Sequence, residues 1–148
     1  MRLDHHFNQA ASLYGVSVSE FIEQSTGQDP SGLGWWARYR GRQGISLRVV
    51  TAFRPVLNTS GALSVWTQQK SNFEAKDVDR CPRDIFIVDI LKEVQTWKEE
   101  GDQIVIRIDA NEDVRTGKLA KAFRDEGLIE LCTASHGQNG PTTYDRGQ

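Results

Sequence analysis

The residues best placed by type and spacing to do chemistry are Asp109 and Asn111, in the segment Asp109-Ala110-Asn111-Glu112-Asp113. They follow without a gap on Ile104-Val105-Ile106-Arg107-Ile108, an apolar run that reads as a buried central β-strand. At the end of such a strand the sheet holds the backbone while side chains reach a cleft. A carboxylate there can orient or deprotonate a water, and a carboxamide two residues on can hold a phosphate oxygen. The same pair also fits a plain turn, because Asp and Asn bond readily to their own backbone. Spacing alone favours the turn.

Other chemistry-bearing types are less promising. His5 and His6 are adjacent and point different ways, and His136 sits in a Gly-rich stretch, so no third ligand completes a metal set. Cys81 and Cys132 match no metal-ligand spacing and read as two reduced thiols of an intracellular protein. Trp35-Trp36 could stack bases, but on a strand they more often pack. Arg38, Arg40, Arg42 and Arg48 could meet phosphates or form a solvated strand face. Gly32 and Gly34 lack the Lys-Ser/Thr pair of a phosphate loop.

The elements that must position Asp109 and Asn111 follow from patterning. Phe7 to Tyr14 reads as a short helix or an irregular segment, and Ser17 to Gln24 as a helical turn with capping-box spacing. Thr26 to Gly34 is a loop by its Gly and Pro content. Trp35–Arg40 and Ile45–Phe53 read as strands joined by the turn Gly41–Gly44. In the second of these, Ile45, Leu47 and Val49 form an apolar face and Ser46, Arg48 and Val50 a mixed one. Helices are expected from Ser64 to about Lys76, from Arg83 to Glu100 and from Lys118 to Glu126. Phe86, Ile90, Val94 and Trp97 mark one face of the second. Leu128 to Cys132 reads as a further strand, and the tail from Ser135 as a loop. The order is mixed α/β, with a layered sheet and helices outside.

At 148 residues the chain has room for one domain. No apolar run approaches the roughly 18 residues of a membrane helix, and the first residues lack the apolar core of a secretory signal. The net charge of -2 argues against a passive nucleic-acid-binding module, which needs a basic excess. It does not argue against a nuclease, because a metal can carry the positive charge.

Three segments together resemble one family. Gly101 to Glu112 is similar to the strand and Asp-x-Asn motif of the endonuclease/exonuclease/phosphatase superfamily. Val50-Thr51-Ala52-Phe53-Arg54-Pro55 resembles its strand ending in Tyr-x-Pro. His136-Gly137 and Pro141-Thr142-Thr143-Tyr144-Asp145-Arg146 resemble the segment before its next catalytic Asp. The flavour is that of the endonuclease domains beside reverse transcriptases in mobile elements, and of their stand-alone relatives.

The resemblance implies a four-layer α/β sandwich of two sheets with helices outside, here a single partial domain over residues 1–148. It implies cleavage of phosphoesters in nucleic acid with a divalent metal, usually magnesium, and no membrane partner. Asp109 would help activate the attacking water and is the one candidate metal ligand, and Asn111 would contact the scissile phosphate. Arg54, Phe53 and Tyr144 would lie on the substrate side. The chain also departs from the pattern. Phe53 stands for the usual Tyr, and Ile108 stands where Gly is common. Glu20 and Glu23 do not match the metal-binding Glu motif, and neither that motif nor the terminal Asp-His pair is found. The expectation is therefore a domain truncated at both ends and inactive alone, its magnesium site complete only if the missing segments are supplied. The alternative is a non-catalytic remnant or interaction module with the same fold.

Overall fold

The computed structural model describes residues 22–28, 34–57, 61, 63–75, 80–137 and 139–140. Phe7 to Phe21, with Glu20, lie outside them, as do His5, His6, Gly32 and Tyr144. The chain divides into two compact units, residues 1–53 with 96–108 and residues 54–95 with 109–148.

The first unit carries the sheet. Its strands β1 (Ile22–Gln28), β2 (Gly34–Arg40), β3 (Ser46–Phe53) and β4 (Gln103–Asp109) lie in that order. β1 pairs antiparallel with β2, and β2 with β3. A 3-10 turn at Arg42–Gly44 joins β2 to β3, with Gln43 (φ 59°) and Gly44 (φ 77°) both left-handed. Two expectations fail at β1. Ile22 to Gln24 are strand rather than helix, and Thr26 to Gln28 are strand rather than loop. The ladder with β2, from Ile22 opposite Arg40 to Gln28 opposite Trp35, outweighs the weak local preference of these residues.

β4 also differs from its reading. Among the described residues it lies at the end of the sheet, not its centre. Ile104, Ile106 and Ile108 are half-buried, whereas Gln103, Val105, Arg107 and Asp109 face solvent. An apolar run is consistent with burial on two faces but does not prove it. In β3 the mixed face is the more buried one: Arg48, Val50 and Ala52 are buried, while Ile45, just before the strand, is 51% exposed. Arg48 tolerates burial because carboxylates meet it, as described below.

The second unit carries helices. Ser64 accepts from the Thr67 amide at 3.1 Å and so caps α1 (Val65–Glu74). α2 (Pro82–Glu99) opens on proline, as a helix tolerates at its first position, and belongs to this unit as far as Gln95. Its stripe Phe86, Ile90, Val94 and Trp97 is buried throughout. Within the first unit, Trp97 in the last turn of α2 meets Trp36 of β2 edge-on, with ring centroids 6.2 Å apart. α3 spans Lys118–Asp125. Leu128 to Cys132 is not a strand: α4 begins at Leu131 and runs to His136, because Glu130 accepts from the amides of Cys132 and Thr133 and starts a helix there. Sheet and helices together make the fold α/β.

The chain ends of β3 and β4 meet. The Arg54 amide, just after β3, donates to the carbonyl of Asp109, the last residue of β4, at 2.9 Å. C-terminus thus lies beside C-terminus, which is the parallel sense, and the connection through α1 and α2 is the crossover that a parallel pair requires.

Candidate active site

The loop after β4 is built around four side chains of the second unit: Arg54, Arg83, Asn111 and Glu112. Asn111 has φ 48°, the left-handed region in which asparagine is one of the few tolerated residues. Its side-chain amide donates to the Arg54 carbonyl at 2.7 Å, and its own carbonyl accepts from Arg83 Nη2 at 3.0 Å. Arg83 Nη1 also donates to the Pro55 carbonyl, and Arg54 Nε donates to the Arg83 carbonyl at 3.3 Å. Arg83 thereby ties the segment after β3 to the segment after β4. Burial, and next the neighbouring Arg54 guanidinium, hold the Arg83 group below the ordinary arginine value.

Glu112 links this loop to α3. One carboxylate oxygen accepts from the amides of Leu119 (2.8 Å) and Ala120 (3.0 Å), two of the unpaired donors at the helix start. The other forms an ion pair with Arg54, which is only 2% exposed. Gly117, the residue before α3, has no side chain to cap it, so Glu112 does that work from outside the helix. Gly117 must be glycine for the same reason: a Cβ there would collide with the Glu112 carboxylate.

Of the three carboxylates in this loop, Glu112 is thus engaged, and Asp113 accepts from the Arg115 amide at 2.8 Å. Asp109 is exposed, its carbonyl taken by Arg54. The Asn111 amide has a second N–H, for which no acceptor is found among the described residues. The structure therefore brings Asp109, Asn111 and Arg54 together through backbone and side-chain bonds. It buries the Arg54 guanidinium against Glu112 instead of presenting it at a surface. Phe53, the last residue of β3, is half-buried in the first unit. Tyr144 is outside the described residues. Arg83 and Glu112 were not singled out from sequence. No local motif marks them, since the partners of Arg83 and the Arg54 partner of Glu112 lie tens of residues away.

Among the described residues no group of three His, Cys, Asp or Glu side chains stands together as a metal site. Asp109 alone is short of the octahedral oxygen set that magnesium takes, so the described residues do not make a complete site for it. Cys81 and Cys132 are free thiols, and His136 is an exposed residue at the end of α4.

Arg38 and Arg48 of the first unit form a second cluster. Arg38 and Arg48 stand directly opposite each other on β2 and β3, where like charges repel. Asp102 lies between them. It accepts from Arg38 Nε (2.9 Å), Arg48 Nε (3.0 Å) and Arg48 Nη2 (2.7 Å), and Glu100 takes a further bond from Arg48. The Arg48 guanidinium lies 4.1 Å from the Trp36 ring centre and 5.2 Å from that of Trp97. Arg38 and Arg48 are thus paired with carboxylates, Arg40 is exposed, and Trp36 packs. Burial pushes the Asp102 carboxyl up, but the hydrogen bonds from Arg38 and Arg48 outweigh it and hold the group below the ordinary value of 3.8.

No family model matches the chain, and no curated protein matches it. A solved structure does match. It is the catalytic domain of human nocturnin, solved with a bound sulfate anion, and the chain shares its fold. The two agree with a TM-score of 0.53 over 85% of this chain and 44% of that one, at 12% identity. At this identity the likeness concerns the fold alone. The chain spans less than half the length of the neighbour.

Proposed function

We propose that this chain carries part of a phosphoester-cleaving domain that acts on nucleic acid, with Asp109 as its water-activating carboxylate. The observation that carries the reading is the exposed Asp109 at the junction of β3 and β4, in a fold shared with the human nocturnin catalytic domain, solved with a bound sulfate anion. Strand ends of α/β sheets are where such groups gather. Asn111 retains an N–H for a phosphate oxygen, and its left-handed backbone is fixed by Arg54 and Arg83. Magnesium is the cofactor the family resemblance implies. Asp109 is the residue here that would hold it, and the ion would polarise the phosphate and lower the pKa of a bound water. The four-layer sandwich and the kinship with reverse-transcriptase-associated endonucleases rest on the sequence motifs. An intracellular setting rests on the two free thiols.

A second reading, a non-catalytic module with the same fold, is favoured by Phe53 in place of Tyr and by the engagement of Arg54 with Glu112. The test is incubation of the purified protein with plasmid, single-stranded DNA and RNA, with magnesium or manganese, beside Asp109→Ala. Cleavage abolished by the substitution supports the first reading. Nucleic-acid binding without cleavage supports the second. If neither is seen, the nucleic-acid reading is lost.

A further inference from the structure

We propose that the exposed face of α3 is a docking surface for the phosphodiester backbone of a nucleic-acid strand. The inference rests on the reading of nucleic acid as partner and locates the surface that meets it.

α3 is sharply two-sided. Leu119 is buried, and Ala120, Ala122 and Phe123 are half-buried, on one arc. Lys118, Lys121, Arg124 and Asp125 are exposed on the other. That arc carries three cations and one anion, whereas the whole chain has 18 basic and 20 acidic residues. A local basic excess on a net-acidic chain is a charge placed, not a charge averaged. At 1.5 Å rise per residue the three cations climb the helix in steps of about 4.5 Å, and flexible side chains bring them within reach of successive phosphates.

The face is also tied to the candidate active site. Glu112, three residues after Asp109, holds the Leu119 and Ala120 amides, so the start of α3 moves with the Asp109 loop. Arg124 braces the same loop through the carbonyls of Val114 (3.5 Å) and Arg115 (3.3 Å). A strand bound along α3 is therefore held by the same loop that carries Asp109. The competing internal partner is weak. Lys118 lies 3.3 Å from Asp84, but their side chains are 77% and 54% exposed, and such pairs stabilise little. A phosphate can displace Asp84.

Contacts to phosphate alone read neither base nor sugar, so DNA and RNA strands of equal length should bind alike. The experiment measures binding of fluorescein-labelled single-stranded DNA and RNA to the full chain across a salt series. It compares the protein with Lys118→Gln/Lys121→Gln and with a charge-matched control, Lys92→Gln/Lys98→Gln on α2. Glutamine keeps helix propensity, and all four sites are exposed, so the fold should persist, checked by an unchanged melting temperature. Each phosphate contact contributes about 0.7 to the log–log salt slope of a single strand. The α3 variant should lose about 1.4 units of slope, and the control none. If both variants keep the slope of the parent, or both lose it equally, the surface is not α3 and the inference fails while nucleic-acid binding stands. If the parent binds neither strand at low salt, the inference and the reading beneath it both fail.

Discussion

At the scale of residues, the Arg54–Glu112 pair holds the candidate site together. Removing one partner of a buried pair strands the other charge, at a cost of about 3–5 kcal/mol. Glu112→Ala also frees two amides of α3. We expect it to lower the urea midpoint by a corresponding amount, whereas Asp109→Ala, at an exposed carboxylate, should leave the midpoint within about 0.5 kcal/mol of the parent. Equal effects from the two would mean that Glu112 is not the link. Asp102 makes a pH prediction. Its folded pKa lies below the unfolded value of 3.8, so in that window the unfolded chain binds more protons. The stabilisation is complete above the unfolded value and is lost as pH falls through the folded one. Unfolding free energy should therefore drop as the solution is acidified through and below the unfolded value, and Asp102→Asn should flatten that part of the profile. An unchanged acid limb in the variant would count against the Arg38–Asp102–Arg48 cluster as its source.

At the scale of elements, two glycines separate two causes. Gly117 has an ordinary backbone, φ -65°, but the Glu112 carboxylate occupies the space of a Cβ. Gly101 has open space around it but φ +79°. Gly117→Ala should cost about 1–3 kcal/mol by overpacking and should loosen α3. Gly101→Ala should cost about 1–2 kcal/mol through backbone strain alone. Glu112→Ala removes the nearer obstruction at Gly117 and leaves the Asp113 carbonyl, 2.7 Å from the Cβ position, so the Gly117→Ala penalty should shrink without vanishing in that background, whereas the Gly101→Ala penalty should not change. A double-mutant cycle in chemical denaturation reads this coupling. α1 offers a simpler case: Ser64→Ala should cost about 1 kcal/mol through loss of the bond to the Thr67 amide.

At the scale of the whole molecule, the prediction concerns activity. Catalysis on a phosphodiester depends on several groups acting as a unit, and losing one member often costs nearly as much as losing all. Of the three carboxylates at the candidate site, Glu112 is paired with Arg54 and Asp113, though exposed, accepts from the Arg115 amide, which leaves Asp109 as the one offered to a ligand among the described residues. We therefore expect only weak magnesium-dependent cleavage by the chain as it stands, lost in Asp109→Ala. Robust cleavage abolished by Asp109→Ala would overturn this and would mean that further ligands complete the site.

The sequence by itself determined the helices that carry a strong period or a cap: α2 through its four-residue apolar stripe, α1 through Ser64, α3 between Lys118 and Asp125. It also determined the strands flanking Gly41–Gly44 and the strand that ends at Asp109. These are local matters of spacing and turn chemistry. Only the tertiary structure decided that Ile22 to Gln28 form a strand, since the decision lies in the partner strand β2. It alone decided that β3 buries the face bearing Arg48, because the compensating carboxylate, Asp102, is 54 residues away. The candidate site divides the same way. Asp109 and Asn111 could be read from a strand end and a motif. What fixes them, Arg83 and the Arg54–Glu112 pair, could not, because a buried charge is tolerable only where the fold brings its partner, and that partner leaves no mark in the local sequence.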